Sequence, residues 1–196
     1  MDNGLYLINT HNGVRGRIPR IKIEDYPAVK AHLDQYWDRI ATRADKGDTP
    51  YNLRNCAYLE DFNKPKIIWK RIGSILRFSF DNKGCLGLDS TCFATGEHIG
   101  YLCCVLNSLM GHYLLKDSPK TGTGDLLVSV QAIEPACIPY NALYERQLLY
   151  LLEKQIANPS AATEKEINDI VFTMYGLSPI ECDYITRYIK LSLQSL

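Results

Sequence analysis

The sequence predicts an α+β fold: a small, mostly antiparallel β-sheet domain with packed helices, followed by a C-terminal helical appendage. Three observations carry this. Short β-rich runs cluster between Lys64 and Thr95, separated by turn residues. A strongly apolar stretch with helical spacing follows at once, from Ile99 to Tyr113. The region 141–196 shows only helical stripes, divided by Pro and Gly breakers. At 196 residues and 46% apolar content, the chain suits one ordinary domain, or one domain with a small addition. The boundary reads as 1–140 for the sheet domain and 141–196 for the helical region.

The elements follow in order. Leu5–Thr10 has strand character and stops at Asn12-Gly13, a turn signal. Val14–Ile23 holds Arg15, Arg17, Arg20 and Lys22 with no acid. Gly16 and Pro19 make it an exposed basic loop leading into a short edge strand. A first helix begins near Asp25, with Pro27 in its first turn, where a missing N–H costs nothing. Val29, Leu33, Trp37, Ile40 and Ala44 recur at helical spacing and predict its buried face, with Lys46-Gly47-Asp48 as its stop. Lys66–Trp69, Ile75–Phe80 and Ser90–Thr95 then read as a three-stranded meander, with Asp81-Asn82-Lys83-Gly84 as a tight turn. Ile99, Cys103, Leu106, Met110 and Tyr113 mark a second helix, widened by Leu102, Leu109 and Leu114. The polar loop Lys116–Asp125 follows, then a strand at Leu126–Val130. The region 141–196 holds a helix with Leu148, Leu149, Leu151, Leu152 and Ile156 along it. A second helix opens with a capping-box pattern at Thr163 to Glu166 and ends at Gly176. The last helix starts at Ser178-Pro179, with Ile185, Tyr188, Ile189 and Leu193 inward.

The formal net charge is zero, which argues against wholesale electrostatic binding. The charge is nonetheless uneven. Six of the seven charges between Lys64 and Gly87 are basic: Lys64, Lys66, Lys70, Arg71, Arg77 and Lys83, against Asp81 alone. A basic ribbon on an apolar base is a device for gripping a polyanion. Equally, such lysines can be solvated side chains that keep a sheet edge from aggregating. The seven cysteines include no CxxC pair, which disfavours a zinc ribbon, and most should be small buried residues in a reducing cytosol. No apolar run approaches the ~18 residues needed to span a bilayer, and no signal-peptide pattern opens the sequence. A soluble, cytoplasmic protein with no membrane partner is expected.

Catalytic signatures are missing from the sequence. There is no GxSxG, and His11, His32, His98 and His112 are scattered. Gly122-Thr123-Gly124 lacks the GKS/T of a phosphate loop. Asp81-Asn82-Lys83 sits in a turn context rather than a nuclease signature, which would need clustered acids for magnesium. Thr49-Pro50-Tyr51 and Ile138-Pro139-Tyr140 each lack the Asn-Pro-Pro-Tyr pattern of an amino-methyltransferase. The expected outcome is a binding module with no catalytic residues and no metal site.

The order Tyr6-Leu7-Ile8-Asn9-Thr10, Ile23-Glu24-Asp25-Tyr26-Pro27, Pro65-Lys66-Ile67-Ile68-Trp69, Leu106-Asn107-Ser108 and Ile138-Pro139 resembles the TaqI-like C-terminal specificity domain. That is the target-recognition domain of type II restriction–modification enzymes and adenine-specific DNA methyltransferases. Ile167–Phe172, Tyr175-Gly176-Leu177 and Glu181 resemble the helical C-terminus of the same enzymes. The resemblance implies an excised or partial piece that selects double-stranded DNA. S-adenosylmethionine and magnesium would belong to absent methyltransferase and nuclease domains of the parent polypeptide. The helical region would either pack on the recognition domain or bridge to the absent methyltransferase domain.

On this reading Arg15, Arg17, Lys64, Lys66, Lys70 and Arg71 are assigned to phosphates, which position the protein. Asn82 and Lys83 in the turn, and Lys120, Thr121 and Thr123 in the polar loop, are candidates for reading base edges, and Lys116 at the start of that loop is counted among the DNA-binding residues. Residues 14–22, 64–71 and 116–124 are expected to converge on one concave side. Two rival readings stay open: a protein–protein adaptor with a helical docking arm, and a small hydrolase with an unrecognised site.

Overall fold

A computed structural model describes residues 4–194, with side chains through residue 192. The fold is α+β, and its contacts divide it into two compact units, one up to Asn63 and one from Lys64 onward. The sequence placed its boundary after Tyr140 instead.

The first unit contains less regular structure than its sequence suggested. Leu5–Thr10 is irregular rather than a strand, exposed from Leu5 to Asn9 and buried at Thr10; Tyr6 is 97% accessible. The Thr10 carbonyl accepts from Leu53 N (2.9 Å), but among the described residues of this unit no strand extends that contact into a ladder. Val14 and Ile18 close a narrow turn by an antiparallel bridge. The edge strand expected after it is replaced by a single 3₁₀ turn at Ile23–Asp25, since Pro19 cannot donate to a ladder. The expected first helix is two short ones, α1 (Pro27–Asp34) and α2 (Trp37–Thr42). Pro27 does sit in the first turn of α1. At Tyr36 the N–H turns back to the Leu33 carbonyl (2.9 Å) and the backbone leaves the helical region (φ −113°, ψ 19°). The predicted apolar stripe is consequently not buried. Val29, Leu33 and Ile40 are half-buried, while Trp37 and Ala44 are exposed.

A polar hub organises this unit. The Asn52 side chain is buried, donates to the Ile21 carbonyl (3.0 Å) and accepts from the Thr49 hydroxyl (2.6 Å). Its backbone carbonyl accepts from Gly47 N and from Arg43 Nη2. Asn52, through its side-chain amide and its backbone carbonyl, thus ties together the chain at Ile21, Arg43 and Gly47–Thr49, where few apolar side chains are buried.

The second unit begins with β1 (Lys66–Lys70), followed by β2 (Ile72–Gly73), β3 (Phe78–Asp81) and β4 (Thr91–Thr95). The expected meander is not formed. The order is β3-β1-β4, both neighbours antiparallel to a central β1. Asp81–Gly84 is therefore no tight hairpin turn; it opens a crossing segment, residues 82–90, that runs from one sheet edge to the other. Gly87 carries this segment close over Ile68 and Thr91. β1 alternates as a half-covered strand should: Ile67 and Trp69 face a core with Phe78, while Lys66, Ile68 and Lys70 face the crossing segment's side.

That core is completed by α3 (Ile99–Asn107). The sequence predicted one helix to Tyr113; the structure breaks it at Ser108 and resumes as α4 (Leu109–Leu114). Asn107 does more than end α3. Its Nδ2 donates to the Phe78 carbonyl (2.7 Å) and its Oδ1 accepts from Phe78 N (3.0 Å). The amide imitates a peptide group and pairs with the outer edge of β3. Asn107→Ala leaves the Phe78 N–H unpaired and its carbonyl with the weak Cys103 thiol donor (3.4 Å), and should cost about 2 kcal/mol in chemical denaturation. A loss below about 0.5 kcal/mol would show that water replaces the amide freely.

A two-residue β5 (Leu126–Leu127) pairs with β2, and Val130–Ile133 forms a short α5 where a longer strand was expected. The Trp69 indole N–H, 2.8 Å from the Val128 carbonyl, fixes the chain between them. Three longer helices follow: α6 (Ala142–Ala157), α7 (Ala161–Met174) and α8 (Pro179–Gln194). Asn141 caps α6 and Ser160 caps α7, slightly earlier than the Thr163 start read from sequence. Gly176, at φ +65°, ends α7 as predicted.

Leu148, Leu151, Ile167, Val171, Ile185 and Ile189 join Tyr101, Val105 and Met110 in one buried cluster, so the helical region shares its core with α3 and α4. Leu149 and Ile156 remain exposed, and the side chain of Leu193, expected inward, lies outside the described residues. No helix among the described residues is long and apolar enough to cross a membrane.

Candidate nucleic-acid interface

The sheet residues assigned to DNA separate into two groups at opposite ends of β1. Lys64, Lys66, Asn82 and Lys83 gather at one end, because Lys66 is in register with Asp81. Lys70 and Arg71 lie at the other, about 13 Å along the strand.

At the first end, Lys66 is not a surface cation. Only 1% of it is exposed, and its ammonium is bonded to the Asp81 carboxylate, itself mostly buried. Asp81 also accepts from the backbone N–H of Lys83 (3.1 Å) and Cys85 (3.0 Å). Burial alone would raise its pKa, but these donors and Lys66 together hold it below the ordinary value. The assignment of Lys66 to phosphate is therefore corrected: a strand position on the side crossed by residues 82–90 is covered, and its charge is used internally. Asn82 and Lys83 are exposed, and Lys83 is held at its backbone by Asp81. Lys64 is exposed just ahead of the strand.

The second end is built differently. Arg71 N donates to Ser90 O (3.1 Å), and Val128 N donates to Arg71 O (2.8 Å). β2 pairs with β5, and Leu126 in turn bridges to Lys120. Leu127 N reaches Pro119 O (2.7 Å), and Thr121 N reaches Asp125 O (2.8 Å). A continuous series of backbone bonds thus joins Lys70 and Arg71 to the loop 116–125. Lys70, Arg71 and Lys120 are exposed, and none forms an ion pair among the described residues. Lys116 is partly neutralised: it bonds Asp117 (2.6 Å) and lies 4.6 Å over the Tyr113 ring. Thr121 and Thr123 share a hydroxyl contact (2.7 Å), and Thr123 donates to Asp125 (3.0 Å). Their hydrogen-bonding groups are engaged within the loop.

His112, Lys116 and Lys120 line one small cavity of about 120 Å³ with Ser74, Tyr188 and Ser192. Burial pushes the His112 pKa down, so the imidazole is neutral near pH 7. In the first unit, Arg15, Arg17 and Arg20 line an open cavity of about 640 Å³ with Asn12, Asp48 and Asn55. Arg17 bonds Glu60 at 2.6 Å, while Arg15 is exposed.

One polar cluster was not visible in the sequence. His98 takes a left-handed backbone (φ 58°) at the start of α3, and its Nδ1 is 2.7 Å from Glu145 Oε1 on α6. The Tyr140 hydroxyl bonds the other Glu145 oxygen (2.9 Å), and its ring lies 4.4 Å from the imidazole. The Tyr101 and Tyr175 hydroxyls bond the carbonyls of Pro139 and Cys137. Together they fasten the Cys137–Tyr140 connector to the helices. Positions 98 and 145 share no spacing pattern, so no local signal could have paired them.

The cysteines also depart from expectation. Only Cys103 and Cys104 are buried, and burial raises the Cys103 pKa to about 12, leaving an unreactive thiol. No group of three or more His, Cys, Asp or Glu side chains among the described residues is placed to hold a metal ion. The chain matches no protein-family model and no curated protein sequence.

Proposed function

We propose that this chain is a DNA target-recognition module, non-catalytic by itself, of a larger restriction–modification enzyme or DNA methyltransferase. The observation that best supports this is the sheet end carrying Lys70, Arg71 and Lys120. Three exposed cations with no ion pair among the described residues stand on backbone segments bonded to one another, so the spacing of their backbone positions is fixed rather than left to a flexible loop. Fixed cations suit the regular charge spacing of a duplex. The likeness of the sequence to TaqI-like specificity domains points the same way. Methyl transfer with S-adenosylmethionine, and any magnesium-dependent cleavage, would belong to other domains of the parent.

The test is a salt titration of duplex binding. Each phosphate contact contributes about 0.9 to the log–log slope. Lys70→Gln with Arg71→Gln should lower the slope by about 1.8 and weaken binding to every sequence alike. If one base position alone loses preference, these residues read bases instead. If the wild-type chain shows no salt-dependent DNA binding, the reading falls.

A protein-docking role has one observation of its own. Ile180, Tyr184 and Leu191 are all exposed along one stripe of α8, at 83%, 57% and 66%. An adaptor would bind its partner through such a stripe, with little dependence on salt and no affinity for DNA.

A further inference from the structure

The turn in the first unit has a shape that the sheet-end cations lack. Arg15, Gly16 and Arg17 form its exposed tip. It is closed below by Val14 N to Ile18 O, Ile18 N to Val14 O and Arg17 N to Val14 O, each 2.9 Å. Gly16 takes φ +78°, and a Cβ placed there would meet nothing within 4 Å. The tip is thus narrow, bare at its centre and closed by backbone bonds, with one guanidinium on either side.

We propose that the Arg15-Gly16-Arg17 tip enters the minor groove of DNA and favours A·T pairs there. This rests on the DNA-recognition reading and adds the groove and the class of base pair to it. The minor groove is only about 6 Å wide, so it admits a bare glycine apex more readily than a helix. On its floor, A·T pairs present acceptors alone, whereas G·C pairs add the guanine amino donor, which confronts a guanidinium with another N–H group. Narrow A·T tracts also concentrate negative potential, which draws arginine inward. Guanidinium is more weakly hydrated than ammonium and enters such a groove with less desolvation cost.

Two acids bear on the tip. Glu60 bonds Arg17, but both side chains are about half exposed (45% and 59%), so solvent screens that pair. Asp48, in the adjoining cavity, is engaged by the Asn12 amide (3.0 Å). Arg15 has no ion pair among the described residues.

The experiment measures binding of the full chain to three duplexes of matched length: one of A·T pairs, one of G·C pairs, and the G·C sequence with inosine replacing guanine. Inosine removes the minor-groove amino group and leaves the major-groove edge unchanged. The wild type should prefer the A·T and inosine duplexes over the G·C duplex by about tenfold. Arg15→Lys with Arg17→Lys keeps the charge, and should bind all three alike with an unchanged salt slope. If the wild type binds the G·C and inosine duplexes equally while binding stays salt-dependent, the minor-groove assignment is overturned and the recognition reading stands. The assignment is equally overturned if the double lysine variant keeps the preference. If no duplex binds at any salt concentration, both fall.

Discussion

Lys66→Met is expected to destabilise the unit that starts at Lys64 by about 3–5 kcal/mol, the range for stranding one partner of a buried ion pair. Lys66 is 1% exposed, and Asp81 opposite it is 10% exposed at its side chain. Without the ammonium, Asp81 keeps two backbone donors but no counter-charge. Trp69 reports on this unit and Trp37 on the other, so urea unfolding followed by fluorescence in a Trp37→Phe background isolates the effect. A loss under about 1 kcal/mol would mean that solvent reaches Asp81 and that the pair behaves as a surface one.

The same pair fixes an acid response. The folded pKa of Asp81 is depressed below its ordinary 3.8. Its stabilising contribution is therefore complete above that value and disappears as pH falls through the lower, folded pKa. Wild-type stability should drop across that acid window more steeply than that of Asp81→Asn. Equal slopes would remove the pair from the account. Because Lys66 acts inside the fold, the variant should alter the proposed DNA affinity only as far as it unfolds the protein.

The fate of Lys66 illustrates what the sequence could and could not disclose. Alternation in β1 was legible, since Ile67 and Trp69 announce a buried face. The cover on its other side was not, because it depends on strand order. Asp81-Asn82-Lys83-Gly84 has hairpin chemistry, yet Phe78–Asp81 and Thr91–Thr95 flank β1 instead of pairing with each other. Local turn propensity was outweighed by long-range pairing with the most apolar strand. The helices of the region 141–196 were easier to read, since Leu148, Leu151, Ile167, Val171, Ile185 and Ile189 fall at helical spacing and are buried. In the first unit the periodic stripe Val29–Ala44 promised a buried helix face, but its backbone breaks at Tyr36 and its hub is the amide of Asn52. A polar hub leaves no periodicity to find. Of the proposed DNA contacts, exposure at Lys70, Arg71 and Lys120 agrees with simple charge reading. The bonding that joins them passes through β5, which is only two residues long and below the reach of pattern recognition.

Gly111→Ala should have the opposite sign to that expected for an ordinary helix. At an open helical position the change adds up to about 1 kcal/mol of stability, because alanine loses less backbone freedom on folding. Here α4 turns back on the end of α3 at Ser108. That hydroxyl donates to Val105 O (2.6 Å) and accepts from Gly111 N (3.1 Å). Asn168 on α7 accepts the otherwise unused N–H of Leu109 (2.7 Å). A Cβ on Gly111 would overlap the Val105 carbonyl oxygen and lie 2.7 Å from Leu106 Cα. Both are backbone atoms, so no rotamer change relieves the clash, and α4 must swing away from α3. A loss of about 3 kcal/mol is expected, at the upper end of the usual cost of overpacking. Since α4 leads into loop 116–125, its displacement should also weaken the proposed DNA contact of Lys120 under conditions where the variant remains folded. Stabilisation by Gly111→Ala would instead mean that the two helices run on as one, as the sequence alone suggested, and that the loop is aimed by something other than the bend at Ser108.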